Sequence, residues 1–148
     1  MEFNVERIRD VLPELLPLWK AHFEETELAY KGDNFNPDID GYLRMEDNNQ
    51  FLLFTARSDG VLVGNIGYII HKSRHTSLPA ATEDFLFLSP EVRKGFNAVK
   101  FIKFATGILE RMGMRHIGMS SKLTTGRDIE PLLRRCGFHC VAKFYYKE

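Results

Sequence analysis

The sequence predicts a single α/β domain. Three observations carry this prediction: a buried strand joined by a short turn to a long helix across 81–113, a strand hairpin across 51–70, and helical apolar spacing near the N-terminus. At 148 residues the chain is long enough to form one hydrophobic core without disulfides or metal. We therefore expect residues 1–148 to form one domain.

The central unit is the stretch from Ala81 to Gly113. Its first part, 81–88, is a largely apolar run in which Phe85 and Phe87 favour a strand. The Ser89-Pro90 pair ends it, because proline cannot donate to a strand ladder. A helix is then predicted from Ala98, and Gly113 stands where a helix C-terminal glycine is expected.

The turn between this strand and helix is a predicted anion site. Unpaired N–H groups and the helix dipole both favour negative charge at a helix N-terminus that follows a glycine-bearing turn. The residues of this turn are Arg93, Lys94, Gly95, Phe96, Asn97 and Ala98.

The N-terminal third is predicted to be mostly helical. Residues 2–8 fit either a short strand or a helix start, and a helical face then follows through Trp19. Pro17 is expected to kink this helix. Residues 24–35 are predicted to form a loop, and Asn36-Pro37 to cap and begin a second helix.

The remaining elements are strands and one helix. Strands are predicted at 51–57 and 61–70, joined by a turn, and a short one at 116–121. A helix capped by Asp128 should end near Gly137, and 139–146 should form the last strand.

Composition narrows the possible functions. No apolar run is long enough to span a bilayer and no signal pattern is present, so we expect a cytoplasmic protein without a membrane partner. Residues 1–50 carry 12 acidic and 5 basic side chains, and the rest carry 8 and 15. This asymmetry suits an anionic cofactor and a cationic acceptor, or simply two solvated faces of opposite sign.

Nucleic acid is not expected as a partner, because the sequence has no stripe of basic residues with aromatic residues between them. Cys136 and Cys140 are expected to be free thiols, with no metal site.

Two acidic residues lie unexpectedly within the apolar central strand. Glu83 and Asp84 are candidate general bases, because acids are rarely placed there without a partner or a role. Strand alternation predicts opposite faces for them, so that at most one faces a cleft. The alternative is that they pair with nearby arginines.

The ordered pattern Leu88-x-Pro90, Arg93-x-Gly95-x-x-Ala98 resembles the acetyl-CoA site of the GNAT superfamily of N-acetyltransferases. The family's usual middle glycine is replaced by Phe96. Within the family, the sequence is most similar to variants encoded by tailed phages. The motifs that resemble theirs include Asn36-Pro37-Asp38 and Gly137-Phe138. The localisation would then be the host cytoplasm.

The resemblance implies a mixed, mostly antiparallel central sheet flanked by helices on both faces. It implies transfer of acetyl from acetyl-CoA to a primary amine, on a small molecule or a protein, by direct attack in a ternary complex. Asp84 best matches the family's base. Backbone N–H groups of Phe87 or Leu88 would meet the oxyanion, whereas Leu133 occupies the position of the usual tyrosine acid. Ser120, Ser121 or a water are possible substitutes for it.

A different class of function is also compatible with these departures. The missing tyrosine and the altered turn suit a catalytically silent acyl-CoA binder or an interaction module. The family's further C-terminal strand is missing, and the resulting open edge predicts a homodimer.

Overall fold

The computed structural model describes residues 1–26, 34–123 and 127–147. Over these ranges the chain forms a five-stranded sheet with four α-helices. The strands are β1 (Glu2–Glu6), β2 (Phe51–Ser58), β3 (Val61–Lys72), β4 (Pro79–Leu88) and β5 (His116–Gly118). The helices are α1 (Ile8–Thr26), α2 (Ile39–Asp47), α3 (Asn97–Arg111) and α4 (Glu130–Arg135), with a 3₁₀ turn at Pro90–Val92.

The strands lie in the order β1-β2-β3-β4-β5, and only the β4–β5 pair is parallel. Helices α1 and α2 cover one face of the sheet, where Leu15 and Trp19 are buried against Phe85. Helices α3 and α4 cover the other face, through side chains such as Phe101 and Leu133. The predicted mixed, mostly antiparallel sheet with helices on both faces is therefore confirmed.

The N-terminal elements differ from the prediction in detail. Residues 2–6 form a strand, the first of the two alternatives. Helix α1 continues through both Pro13 and Pro17 to Thr26. Each proline removes only one backbone donor, and the buried face of the helix holds it on the sheet. The predicted loop therefore begins later, and residues 27–33 lie outside the described ranges.

Both later helix caps are corrected by the structure. Helix α2 has Asp38 rather than Asn36 as its N-cap, and the Asp38 carboxylate accepts from the Gly41 N–H at 2.9 Å. Helix α4 has Ile129 as its N-cap. Asp128 still satisfies an N–H at this helix start, because its carboxylate accepts from the Glu130 N–H.

The predicted last strand, 139–146, is wrong. Residues 138–147 form no strand, and they join none of the five strands that the structure describes.

Strands β4 and β5 pair over only three residues and then diverge. Ala80 to Thr82 lie opposite His116 to Gly118, whereas Glu83 to Leu88 pair with no strand on that side among the residues that the structure describes. A bulge lies where the two strands separate: Tyr68 pairs with Glu83 and Gly67 with Phe85, so that Asp84 is the extra residue. The consequence is an open strand edge in the middle of the molecule.

Candidate active site

The open edge of β4 borders a large cavity of about 1300 Å³. Residues from both faces of the sheet line it, including Trp19 and Tyr42 on one side and Ala98 and Leu132 on the other. The cavity therefore passes along the gap between β4 and β5. All of β4 from Glu83 to Leu88 contributes to its wall.

The open edge presents backbone donors to the cavity. The Ser89 N–H donates to the Val63 carbonyl at 2.8 Å, which makes this facing pair a hydrogen-bonded one. Because such pairs alternate along an antiparallel ladder, Phe87 bonds to β3, whereas Leu86 and Leu88 turn their N–H groups away from it. Of the two predicted oxyanion donors, the Leu88 N–H is directed to the open edge, whereas the Phe87 N–H is directed to β3.

Glu83 is held by Ser120, just beyond the end of β5. One carboxylate oxygen accepts from both the N–H and the hydroxyl of Ser120, each at 3.1 Å. Burial among its neighbours raises the pKa of Glu83 to about 7; the Ser120 bonds oppose this shift and the charge of Asp84 adds to it. A carboxylate with this pKa can exchange a proton at neutral pH.

Asp84 is directed to the opposite wall of the cavity. Its carboxylate accepts a 2.5 Å hydrogen bond from the Tyr42 hydroxyl. Burial and this bond both raise the pKa of Tyr42, so the phenol stays protonated and keeps donating. The Tyr42 ring packs against Trp19 and Phe51, which makes this wall aromatic.

The prediction that at most one of the two acids faces the cleft is wrong. Glu83 and Asp84 take different partners on different sides, but both line the same cavity. The reason is that the cavity passes through the sheet plane at the bulge, so opposite faces of β4 open into one space.

Arg93 is committed to contacts within the protein. Its guanidinium makes two bonds to the Glu25 carboxylate, at 2.9 and 2.7 Å, and a third to the Leu88 carbonyl at 2.6 Å. Arg127 donates to the same carboxylate at 2.6 Å. Glu25, at the end of α1, thus bridges two arginines across the cavity.

The predicted anion turn lies next to the cavity, but only part of it forms the wall. Arg93, Gly95 and Ala98 line the cavity. Gly95 has a φ of +59°, a conformation that suits glycine. The α3 N-terminus that follows has no side-chain cap among the residues described. The other three predicted residues, Lys94, Phe96 and Asn97, do not line it.

Other predicted positions have structural roles. Leu133 is buried in the core with α3. The Ser121 hydroxyl donates to Asp128 and accepts from the Ile129 N–H, which holds the approach to α4. His22 lines the cavity against Phe87, and burial lowers its pKa to about 4.

Sequence reasoning missed the roles of Tyr42 and Glu25. Tyr42 falls within the predicted second helix, and Glu25 falls in a predicted loop. Both make their contacts with residues more than 40 positions away, so no local pattern reveals them. Within the described part of the chain, no cluster of three or more metal-ligating side chains occurs. None of the described helices has the length and apolar character needed to cross a membrane.

No protein-family model matches the sequence, and no curated protein matches it. Solved structures do match its fold. An aminoglycoside acetyltransferase from an uncultured soil metagenomic sample is similar at 17% identity and a TM-score of 0.76, over 99% of this chain and 95% of its own. A ribosomal-protein-alanine N-acetyltransferase from Brucella melitensis biovar Abortus 2308 has 15% identity and a TM-score of 0.74, with both chains covered completely.

A third similar structure is a predicted acetyltransferase with acetyl-CoA from Clostridium acetobutylicum. It has 12% identity and a TM-score of 0.69, over 99% of this chain and 95% of its own. At these identities the likeness concerns the fold. The chain has the fold of the GNAT acetyltransferases.

Proposed function

We propose that this protein is an N-acetyltransferase that moves acetyl from acetyl-CoA to a primary amine by direct attack in a ternary complex. One observation carries the proposal: a carboxylate with a pKa near 7 and an unpaired strand edge line the same cavity. The fold shared with acetyltransferases supports it, as does the similar structure with acetyl-CoA.

The open edge of β4 suits the amide-bearing arm of coenzyme A. An extended chain with amide groups can pair with unpaired strand N–H and C=O groups, as an added strand does. The diphosphate would lie at Gly95 and the start of α3, where the cavity wall offers unpaired helix N–H groups. Lys94, Phe96 and Asn97 stay predicted contacts from the sequence.

Glu83 is the proposed general base. A protonated amine gives its proton to the carboxylate, and the nitrogen lone pair then attacks the thioester carbon. The carbonyl oxygen becomes an oxyanion, which the Leu88 N–H at the open edge is placed to stabilise. The oxyanion then collapses: the C–S bond breaks with its electron pair leaving on sulfur, and the second proton of the attacking nitrogen passes to the thiolate, which leaves a neutral amide and a thiol. A thiol with a pKa of about 8.5 can leave without an acid, so Leu133 is tolerable.

Asp84 and Tyr42 are proposed to hold the ammonium of the acceptor. The Tyr42 hydroxyl fixes the Asp84 carboxylate, and the neighbouring aromatic rings favour a cation. The two acids then have different roles: Asp84 orients the amine, and Glu83 takes its proton. This assignment departs from the sequence prediction, which preferred Asp84 as base. The acceptor amine belongs to a small molecule or to a protein.

Two narrower features remain predictions from the sequence. These are the closer relation to the variants encoded by tailed phages and the cytoplasmic location.

A silent acyl-CoA binder is the second candidate function, favoured by Leu133 and by the engagement of Arg93 with Glu25. Calorimetric titration with acetyl-CoA and CoA, followed by turnover assays on a panel of amines, distinguishes the acetyltransferase from the silent binder. We expect micromolar binding and turnover that Glu83→Gln abolishes. Binding without turnover of any amine would leave the silent binder. If neither ligand binds, the proposed function is wrong.

A further inference from the structure

A second cavity, of about 880 Å³, lies beside the candidate active site. Gln50 lines both cavities, so the two are neighbours. The second cavity is also lined by residues at the starts of β4 and β5, among them Ala80, Thr82, His116 and Gly118. We refer to this second cavity as the trough.

The trough and Asp84 lie on the same face of the sheet. The Ile69 side chain packs in the core with α1 and α2, and His71, two residues later in β3, faces the same side. The His71 imidazole lies 3.0 Å from the Thr82 hydroxyl on β4. Asp84 contacts Tyr42 of α2 on this same face. A molecule whose ammonium contacts Asp84 can therefore extend along β4 into the trough.

This part of the sheet face is uncovered. Thr82 has strands on both sides, since it pairs with Ile69 of β3 and Gly118 of β5, yet it is exposed. His71 and His116 are exposed as well. A concave, polar surface on an inner strand is accessible to a ligand that enters from the neighbouring cavity.

The ionisable side chains around the trough are all basic. None of the described residues that line it is acidic. No ion pair joins its cations to a carboxylate of the described chain. Cations and imidazole donors gathered in this way favour an anion. The basic residues are His71, Lys72, Arg74, His75 and His116.

The loop between β3 and β4 is held in shape by its own backbone. The Ser73 N–H donates to the Leu78 carbonyl at 2.9 Å, and the Ser77 N–H donates to the Ser73 carbonyl at 2.8 Å. Arg74 and His75 lie within this loop and line the trough. The loop therefore presents its basic side chains from a defined backbone.

The strand geometry sets the distance between the ammonium and the anion. Thr82 and Ala80 lie two and four residues before Asp84 on β4, and His116 is opposite Ala80 on β5. At the usual rise of a strand, an anion in the trough lies roughly 7–13 Å from an amine at Asp84.

We propose that the acceptor amine carries an anionic group, a phosphate or a carboxylate, and that the trough binds this group. The inference rests on the proposed acetyl transfer and specifies the class of its acceptor. Binding of the anion places the amine at Asp84 and leaves proton removal to Glu83. The same basic side chains repel the second ammonium of a diamine, which disfavours polyamines as acceptors.

The first test compares three amines of matched length as acceptors: 5-aminopentyl phosphate, 5-aminopentan-1-ol and 1,5-diaminopentane. The nitrogen and phosphorus of the phosphate are about 8 Å apart in the extended chain, which reaches the trough. Its kcat/KM should be about 10-fold higher than that of the alcohol, and the diamine should have the lowest value. A 2-aminoethyl phosphate spans only about 5 Å, so it should have little advantage over 2-aminoethanol.

A fourth amine, 6-aminohexanoate, distinguishes the two anions. An advantage over the alcohol as large as that of the phosphate indicates a carboxylate-bearing acceptor, and a smaller one indicates a phosphate-bearing acceptor. Equal kcat/KM for 5-aminopentyl phosphate and the alcohol, or a preference for the diamine, would overturn the inference and leave the acetyl transfer standing. Transfer to none of these amines would overturn the proposed function and the inference with it.

The second test removes two cations from the trough with Lys72→Gln/Arg74→Gln. The preference for 5-aminopentyl phosphate over the alcohol should fall from about 10-fold to about 2–3-fold, through the KM of the phosphate. Lys103→Gln/Arg111→Gln is the matched control, because it removes two exposed cations from α3, on the opposite face of the sheet. This control should keep the preference. An equal loss in both variants would indicate net charge rather than the trough, and a full preference in the trough variant would also overturn the inference.

Discussion

Glu83 and Ser120 are joined by two hydrogen bonds across the point where β4 and β5 separate. The N–H and the hydroxyl of Ser120 both donate to one Glu83 oxygen at 3.1 Å. The second carboxylate oxygen is therefore the one that remains for a proton from a substrate. A base fixed in this way is oriented before the amine arrives, which reduces the reorganisation needed for transfer.

The first prediction concerns the base itself. Glu83→Gln keeps the size of the side chain but removes its proton acceptor, so kcat at pH 7.5 should fall by roughly 10²–10⁴-fold. Acetyl-CoA affinity measured by calorimetry should change little. Glu110→Gln, at an exposed position on α3, is the control and should keep full activity. A Glu83→Gln enzyme with wild-type kcat would exclude this base.

The second prediction concerns the pH dependence of the reaction. Because the base must be ionised, kcat/KM should rise with pH through an apparent pKa of about 7. Ser120→Ala removes a hydrogen bond that lowers the pKa of Glu83, so its profile should shift to higher pH. Ser121→Ala removes a neighbouring hydroxyl that does not contact Glu83, and its profile should stay in place. The opposite shift in Ser120→Ala would contradict the assignment.

The third prediction tests the Glu83 pKa without any substrate. The folded-state pKa of about 7 lies above the usual value of 4.5, so the folded protein binds the proton more tightly than the unfolded chain. The stability that this proton contributes is present below pH 4.5 and is lost as the pH rises to 7. We expect roughly 2–3 kcal/mol of unfolding free energy to be lost over this range.

Urea denaturation of the wild type and Glu83→Gln between pH 4.5 and 8 measures this effect. The variant has no proton to lose at this position, so its stability relative to the wild type should increase as the pH rises. A difference that stays constant with pH would mean that the pKa of Glu83 is ordinary.

The elements of the fold could be predicted from sequence because their signals are local. The strand at 81–88, the glycine turn at 95 and the helix that follows it are set by residues close together in the chain. The bulge at Asp84 could not be predicted, because it depends on how β4 pairs with Tyr68 and Gly67 of another strand. The two acids lie on different sides of β4, as alternation predicts, but both line one cavity because that cavity opens to both faces of the sheet at the bulge.

The site residues that local sequence reveals were predicted, whereas the contacts between distant residues were not. Glu83 and Asp84 stood out as acids in an apolar strand, but their division depends on Ser120 and Tyr42, which come from distant parts of the chain. Arg93 was predicted as part of the anion-binding turn, and only the fold reveals that its guanidinium is bonded to Glu25. The strand propensity of 139–146 is evident from the sequence, but none of the described strands pairs with this segment.

The fourth prediction concerns Glu25. Its carboxylate pairs with both Arg93 and Arg127 at the cavity wall and offsets one of their two positive charges, so Glu25→Gln should make the wall more positive. Acetyl-CoA should then bind about 3–10-fold more tightly, as a net phosphate interaction of roughly 1 kcal/mol implies. S-acetylpantetheine, which has no phosphate, should bind unchanged.

Glu14→Gln provides the control for the loss of one acidic charge. Glu14 pairs with Arg57 and does not line the cavity. Equal strengthening in both variants would indicate net charge rather than the bridge. Weaker acetyl-CoA binding in Glu25→Gln would mean that Glu25 positions Arg93 for the ligand.

The last prediction separates the roles of the two acids. If Asp84 holds the ammonium, then Asp84→Asn should raise the KM of the amine by about 10–100-fold, because a charge-assisted contact of roughly 1.5–3 kcal/mol is lost. The KM of acetyl-CoA should not change, and the pH profile should keep its ionisation but shift to lower pH, because the charge of Asp84 contributes to the raised pKa of Glu83. Tyr42→Phe leaves the charge in place and removes only the hydroxyl that fixes it, so it should raise the amine KM by a smaller factor. If instead Asp84→Asn removes the ionisation from the profile and Glu83→Gln does not, then Asp84 is the base, as the sequence resemblance implies.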